Sequence, residues 1–183
     1  MSQSMTHASA AQRAEHTVAR SAGYSPGFRV LHWATAACVL TLFVSGIVMT
    51  QLGGGGLADW LYSSHKLLGA GALFLLCLRV AYKLGARALG SRKAGGSGHP
   101  AHFFLYAAGI AVPLLGWAGV SDYGARETLF GLTLPPLWRE GAGHYPWLFT
   151  AHAWLAFGLI GLVAIHIGVA LHNSVTRGQS GKL

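Results

Sequence analysis

Histidine is the residue type in this sequence whose number and spacing can support chemistry. The chain has ten histidines in 183 residues, and six of them fall within long apolar stretches. An ionisable side chain is costly inside a membrane and usually faces the interior of a helix bundle, where it has a partner. These six are therefore candidate ligands, although His102 and His172 could equally be interfacial residues at helix ends. The six are His32, His65, His102, His152, His166 and His172.

The composition indicates a protein embedded in a membrane. Hydrophobic residues make up 52% of the chain and charged residues only 10%, whereas a soluble chain carries about 25% charged residues. So few charges cannot cover a water-facing surface, which argues against a cytosolic enzyme. The two cysteines, Cys38 and Cys77, lie in apolar runs outside any CxxC motif. This placement disfavours a zinc ribbon, covalently attached haem and a disulfide framework.

Four apolar stretches predict the architecture. They cover about residues 30–50, 61–84, 101–121 and 148–172, and each reaches the roughly 20 residues that span a bilayer. Glycine clusters and the Pro135–Pro136 pair mark the intervening segments as loops, and Pro113 predicts a kink that membrane helices tolerate. The predicted fold is therefore all-α, an integral membrane four-helix bundle.

The remaining segments are polar. Residues 1–28 lack the apolar core of a cleaved signal peptide and are predicted to form a mostly disordered N-terminal tail. Residues 29–175 form the membrane domain, and residues 176–183 form a C-terminal tail on the cytoplasmic side.

The distribution of Lys and Arg predicts the orientation. With both termini in the cytoplasm, ten basic residues lie on the inner face and three on the outer face, as the positive-inside rule favours. The net charge of +8 then has a membrane explanation, and we expect no nucleic-acid partner. The inner residues are Arg13, Arg20, Arg29, Arg79, Lys83, Arg87, Arg92, Lys93, Arg177 and Lys182, and the outer residues are Lys66, Arg126 and Arg139.

This topology sorts four histidines into two levels. His32 and His166 fall near the inner face, and His65 and His152 fall near the outer face. His152 and His166 are 14 residues apart, which returns them to one helix face about 21 Å apart. One helix therefore presents an imidazole at each side of the membrane.

Two imidazoles at each level favour haem over other metal groups. Structural zinc needs four protein ligands, and no Asp or Glu lies in any of the four spans. Haem iron takes four nitrogens from the porphyrin and needs only axial ligands from the protein. Gly69 and Ala36, each four residues after a histidine, leave room for a macrocycle or for close helix packing. Arg79 is a candidate contact for a propionate of the inner haem or a snorkelling arginine.

Several segments resemble the bacterial cytochrome b561 family, which consists of small four-helix membrane cytochromes with two b-type haems. The resemblance covers about residues 28–175, including the spacing of the two histidines on the last helix. It implies that His32 and His166 ligate one haem b iron and that His65 and His152 ligate the other. The matching segments are FRVLHW (28–33), SSHKLLGAG (63–71), LCLRVAYKL (76–84), AHFFLYAAGIAVPLLGW (101–117), FGLTLP (130–135) and AHAWLAFGLIGLVAIHIGVALH (151–172).

The resemblance also implies a function in electron transport in the bacterial inner membrane. Iron with two histidine ligands has no open position for oxygen chemistry, so single-electron transfer is its natural task. The family implies ubiquinone as the partner within the membrane, and some members resemble superoxide:quinone oxidoreductases. An alternative is a cytochrome b anchor subunit that links quinone to a periplasmic redox partner, such as a dehydrogenase or hydrogenase. A metal transporter is a remote alternative, because the spans lack carboxylates.

Overall fold

Four long helices make up most of the computed structural model, which describes residues 26–88 and 100–179. This arrangement confirms the predicted all-α fold of four apolar helices. Each helix extends beyond its predicted span at both ends, because helical geometry continues into the residues that flank the apolar run. The helices are α1 (Pro26–Gln51), α2 (Gly56–Ala88), α3 (Pro100–Tyr123) and α4 (Tyr145–Gln179).

The predicted tail boundaries shift accordingly. Residues 26–28, which we predicted in the N-terminal tail, belong to α1. Proline favours the first helical turn, where its missing N–H has no intrahelical role, so Pro26 is a suitable first residue. At the other terminus, α4 runs on to Gln179, into the predicted C-terminal tail. Residues 1–25, 89–99 and 180–183 lie outside the described residues.

All four helices are long and apolar enough to cross a membrane. Large apolar side chains on their outer surfaces are exposed, among them Phe74, Trp154 and Ile165, as expected of a surface that faces lipid. The buried side chains between helices are mainly small or medium-sized, including Ala72, Leu76 and Ala108. Small residues allow helix backbones to approach closely in a bilayer. The protein is therefore a multi-pass membrane protein.

The helices do not pack equally against one another. In the described residues, α3 packs closely against both α2 and α4, and α2 packs against α1. The backbones of α1 and α2 do not pack closely against α4 in the same residues. Pro113 lies within α3 and does not end it. The bundle therefore has a wider gap on the side where α4 faces α1 and α2, and side chains must bridge that gap.

The end of the bundle that we predict to be outer is fixed by a buried carboxylate. Asp122, near the end of α3, is only 2% exposed. Its carboxylate accepts hydrogen bonds from the backbone N–H groups of residues 142–145, where α4 begins. The first N–H groups of a helix have no partner within the helix, and a carboxylate also interacts favourably with the helix dipole at this end. Asp122 therefore ties the start of α4 to the end of α3.

The segment between α3 and α4 has further ties to α3. Ser121 Oγ donates to the Trp117 carbonyl at 2.8 Å and accepts from Leu137 N–H at 3.1 Å. The indole N–H of Trp117 donates to the Pro135 carbonyl at 2.8 Å. The segment includes one short 3₁₀ turn, Leu129–Gly131. These contacts hold the segment against the bundle.

Replacing Asp122 with Asn tests the role of this carboxylate. Asn carries an NH2 group in place of one of the two carboxylate oxygens. This group donates hydrogen bonds and cannot accept them, so some backbone N–H groups at the start of α4 would lose their acceptor. We expect the free energy of unfolding to fall by about 2 kcal/mol or more, measured as a lower thermal unfolding midpoint in detergent. Glu140→Gln is the matched control, because Glu140 lies in the same segment and is exposed. Equal midpoints for the two variants would contradict this role.

Candidate functional site

The two outer histidines face each other across the gap beside α4. His65 on α2 and His152 on α4 have ring centroids 6.2 Å apart, with an angle of 76° between the ring planes. These residues come from helices whose backbones do not pack closely. The two imidazoles therefore bridge the gap between α2 and α4.

Hydrogen bonds fix the Nδ1 atom of each outer imidazole. His152 Nδ1 lies 2.8 Å from the Val112 carbonyl, and because a carbonyl only accepts, this nitrogen carries the proton. His65 Nδ1 lies 3.0 Å from Ser45 Oγ, and the Ser45 hydroxyl donates its own proton to the Leu42 carbonyl. A Ser45 hydroxyl that donates to Leu42 accepts from His65 Nδ1 in the tautomer that carries the proton on that nitrogen. This tautomer leaves a free lone pair on Nε2, as His152 has, and as in histidines that bind a metal through Nε2.

Two glycines make room for the outer rings. A Cβ atom on Gly116 of α3 would lie 3.0 Å from His152 Nδ1 and 3.1 Å from its Cε1. A Cβ atom on Gly46 of α1 would lie 3.3 Å from His65 Cε1. Any larger residue at these positions would press on an imidazole. All four helices therefore contribute to this site. A histidine comes from each of α2 and α4, and a glycine and a hydrogen-bond partner come from each of α1 and α3.

Three histidines cluster at the inner end of the bundle. The ring centroids of His32 on α1 and His166 on α4 are 6.4 Å apart, at 71°. The ring of His102, on α3, is 5.5 Å from that of His166, at 78°. His102 therefore belongs to the inner cluster, a placement that the sequence left open. His172 is exposed near the end of α4.

Arg79 of α2 lies beside the inner cluster. Its guanidinium carbon is 5.5 Å from the ring centroids of both Phe28 and Tyr106, and Phe28 is one turn before His32 on α1. Lys83 approaches the same Tyr106 ring. Arg79 Nε is buried and has no hydrogen-bond partner among the described residues. A buried donor of this kind calls for an acceptor, and an anionic group in the gap would supply one.

The surroundings of Gly69 are open on α2. Among residues 26–88 and 100–179, the one neighbouring atom that a Cβ at this position would meet is a Leu42 methyl carbon at 4.0 Å. Within the described residues, no group of three or more His, Cys, Asp or Glu side chains is arranged to hold a metal ion. Each level thus contains a facing imidazole pair, with His102 as a third imidazole beside the inner pair. Such a pair can serve as the two axial ligands of a group that brings its own equatorial ligands.

A comparison with known families agrees with this geometry. The profile of the prokaryotic cytochrome b561 family matches residues 23–180. The chain belongs to the prokaryotic cytochrome b561 family. Its members are membrane b-type cytochromes that transfer electrons, so the chain binds b-type haem. No curated protein matches the chain.

The sequence did not indicate the groups that hold the outer imidazoles in place. Ser45 and Gly46 lie in an apolar run on α1, and Val112 acts through its backbone carbonyl. Only the small size of Gly46 and Gly116 was visible in the sequence, and glycine is common in membrane helices. Their contacts with the histidines depend on the vertical offset between helices, which a single sequence does not contain.

A methyl group at position 116 should weaken the outer site. Gly116→Ala would displace the His152 ring and lengthen its hydrogen bond to Val112, and such changes around a metal-ligating histidine cost about 10–100-fold in affinity. We expect the variant to bind less haem than the unmodified protein, measured by haem content and the reduced visible spectrum. Gly71→Ala on α2 is the control, because no side chain or other helix in the described part of the chain comes within 4 Å of a Cβ there. Equal haem content in both variants would show that the glycine is not required.

Proposed function

We propose that the protein is a di-haem membrane cytochrome that transfers single electrons across or into the bacterial inner membrane, with ubiquinone as the acceptor. His65 and His152 are the axial ligands of an outer haem b, and His32 and His166 are those of an inner haem b. The observation that carries the proposal is the presence of two facing imidazole pairs that share α4, with their α4 members 14 residues apart.

The spacing of the ring pairs supports axial ligation. A metal–imidazole bond is about 2 Å long, and the nitrogen lies about 1.1 Å from the ring centroid, so two rings on opposite sides of one iron have centroids about 6 Å apart. The observed separations are 6.2 and 6.4 Å. The contact between His102 and His166, at 5.5 Å, is shorter than this distance. We therefore assign His32, and not His102, as the partner of His166.

The protein orients the outer pair more firmly than its apolar surroundings would suggest. The Val112 carbonyl and Ser45 Oγ are hydrogen-bonded to the Nδ1 atoms of His152 and His65, which leaves Nε2 of each ring for the iron. Hydrogen bonding at Nδ1 also raises the basicity of the ligand. Both effects favour stable iron ligation on both faces of the haem.

Arg79 is the proposed contact for a propionate of the inner haem. Its buried Nε lacks a partner in the described residues, and its position between the Phe28 and Tyr106 rings restricts the guanidinium. A carboxylate is the acceptor that an arginine matches best. The charge of Arg79 would be compensated there without any Asp or Glu from the helices.

Haem iron with two histidine ligands supplies one-electron transfer without an open coordination position. His152 and His166 lie about 21 Å apart along α4, so the two proposed haems can serve donors and acceptors on different sides of the membrane. Ubiquinone is a lipid-soluble acceptor that reaches the apolar outer surface of the bundle. The outer donor is superoxide or a periplasmic redox protein, and we place both termini in the cytoplasm.

Single histidine variants test the two sites separately. We expect His65→Ala and His152→Ala to lose the outer haem and keep the inner one, and His32→Ala and His166→Ala to do the reverse. His172→Ala, at an exposed position on the same helix, and His102→Ala should retain both. Haem content and redox titration of each purified variant provide the measurement. A His102 variant that lost a haem while the His32 variant kept both would overturn the inner assignment.

The same variants test whether both sites are needed for turnover. His152→Ala should lose donor-to-quinone activity, and so should His166→Ala, because each lacks one of the two sites. Superoxide and a reduced periplasmic cytochrome are supplied as donors in separate assays, which distinguishes the two donor classes. Full turnover by either single-haem variant would contradict transfer between two sites and place the donor and the quinone at the surviving haem.

A further inference from the structure

A small hairpin, residues 125–135, lies at the outer end of the bundle, and we refer to it as the outer hairpin. Its two sides are joined by backbone hydrogen bonds from Leu134 N–H to the Arg126 carbonyl and from Thr128 N–H to the Leu132 carbonyl, at 3.0 and 2.8 Å. The Thr128 hydroxyl donates to the same Leu132 carbonyl, and the Arg126 guanidinium donates to the Leu134 carbonyl. This network gives the hairpin a defined shape.

Phe130 is at the tip of the outer hairpin. Among the described residues it is the one non-glycine residue with a positive φ, 63°, a conformation that is strained for a bulky side chain. Its ring is 89% exposed, and Leu132 beside it is exposed as well. The hairpin thus maintains a strained backbone and presents an apolar ring outward. This arrangement is unfavourable in water, because there the exposed ring makes no apolar contact that would offset the backbone strain.

The first side of the outer hairpin starts beside α2 and not above the bundle. Lys66 Nζ donates to the Ala125 carbonyl at 2.8 Å. Lys66 lies six residues beyond Trp60 on α2, which places its Cα about 9 Å deeper along the helix. An extended lysine side chain and one hydrogen bond together span about that distance. The Ala125 carbonyl therefore lies no farther out than the level of Trp60.

The other side of the outer hairpin returns beside α3. The Pro135 carbonyl accepts from the indole of Trp117, which lies six residues, or about 9 Å, before the end of α3. The turn at the tip also packs against α2. The hairpin is therefore at the depth of the outermost helical turns, where a bilayer has its interface.

The residues of this region match an interfacial environment. Residues 128–136, TLFGLTLPP, contain no charged side chain, whereas the following residues include Arg139 and Glu140. Exposed tryptophans surround the same end of the bundle, among them Trp60 and Trp147. Tryptophan is enriched where the membrane meets water. The apolar tip thus continues an aromatic belt that the helices already form.

We propose that the tip of the outer hairpin, Phe130 with Leu132, inserts into the outer leaflet of the lipid bilayer. The Phe130 ring lies at the boundary between headgroups and acyl chains. The charged residues at the base of the hairpin, and those that follow the hairpin in the sequence, remain in the headgroup region or in water. The Ala125 carbonyl is hydrogen-bonded to Lys66, and the Pro135 carbonyl is hydrogen-bonded to Trp117. Insertion of the tip therefore anchors the segment that follows α3 to the membrane. The proposal does not depend on the haem assignment.

Spin labels at single cysteines measure the depth of the tip. Cys38→Ala and Cys77→Ala provide a background without cysteine, and Phe130→Cys is labelled in vesicles of phosphatidylethanolamine and phosphatidylglycerol. Leu132→Cys is the second variant, which leaves the Phe130 ring in place. Arg139→Cys is the matched control, at an exposed position of the same inter-helix segment. The accessibility of each label is measured with oxygen, which concentrates in lipid, and with a nickel chelate, which stays in water. The same sample without either reagent is the reference.

The ratio of oxygen to nickel accessibility decides the outcome. We expect this ratio to be several-fold higher at positions 130 and 132 than at position 139. Ratios at 130 and 132 equal to that at 139 would place the tip in water, available to a soluble partner, and would overturn the proposal. Protection of 130 and 132 from both reagents would also overturn it, because protein, such as a second copy of the chain, would then cover the tip.

Discussion

An imidazole Nδ1–H group buried in a membrane bundle needs an acceptor for its proton, and this requirement organises the packing around His65 and His152. In a membrane the acceptor has to come from the protein. The Val112 carbonyl on α3 and Ser45 Oγ on α1 meet it for His152 and His65. Close packing of α3 against α4 and of α1 against α2 brings acceptor and histidine together. The same pairings leave the gap between α4 and α2 open for a flat group.

The two ends of the bundle are held in different ways. At the outer end, Asp122 fixes the start of α4 and the following segment is bonded to Lys66 and Trp117, so the position of His152 is firmly determined. At the inner end, a third histidine and Arg79 surround the pair. The inner site thus has more ionisable groups and the outer site more backbone hydrogen bonds. We expect their redox potentials to differ for this reason.

Periodicity and length were sufficient to predict the four helices and the common face of His152 and His166, because both depend on local geometry along one helix. The levels of His32 and His65 followed from topology, and the rings of each pair do lie side by side. The roles of Val112, Gly116 and Asp122 could not be predicted, since they depend on how far one helix is shifted along the next. The placement of His102 beside His166 has the same origin. Packing between helices sets that shift, and no repeat in the sequence records it.

The central claim is that the chain holds two haems, each between two histidines. Redox titration of the unmodified protein in membranes, followed by optical and electron paramagnetic resonance spectra with haem quantified per polypeptide, tests it most directly. We expect about two haems per chain, both low-spin from two imidazole ligands, with two separable midpoint potentials. One haem per chain, or a high-spin signal from iron with an open position, would contradict it.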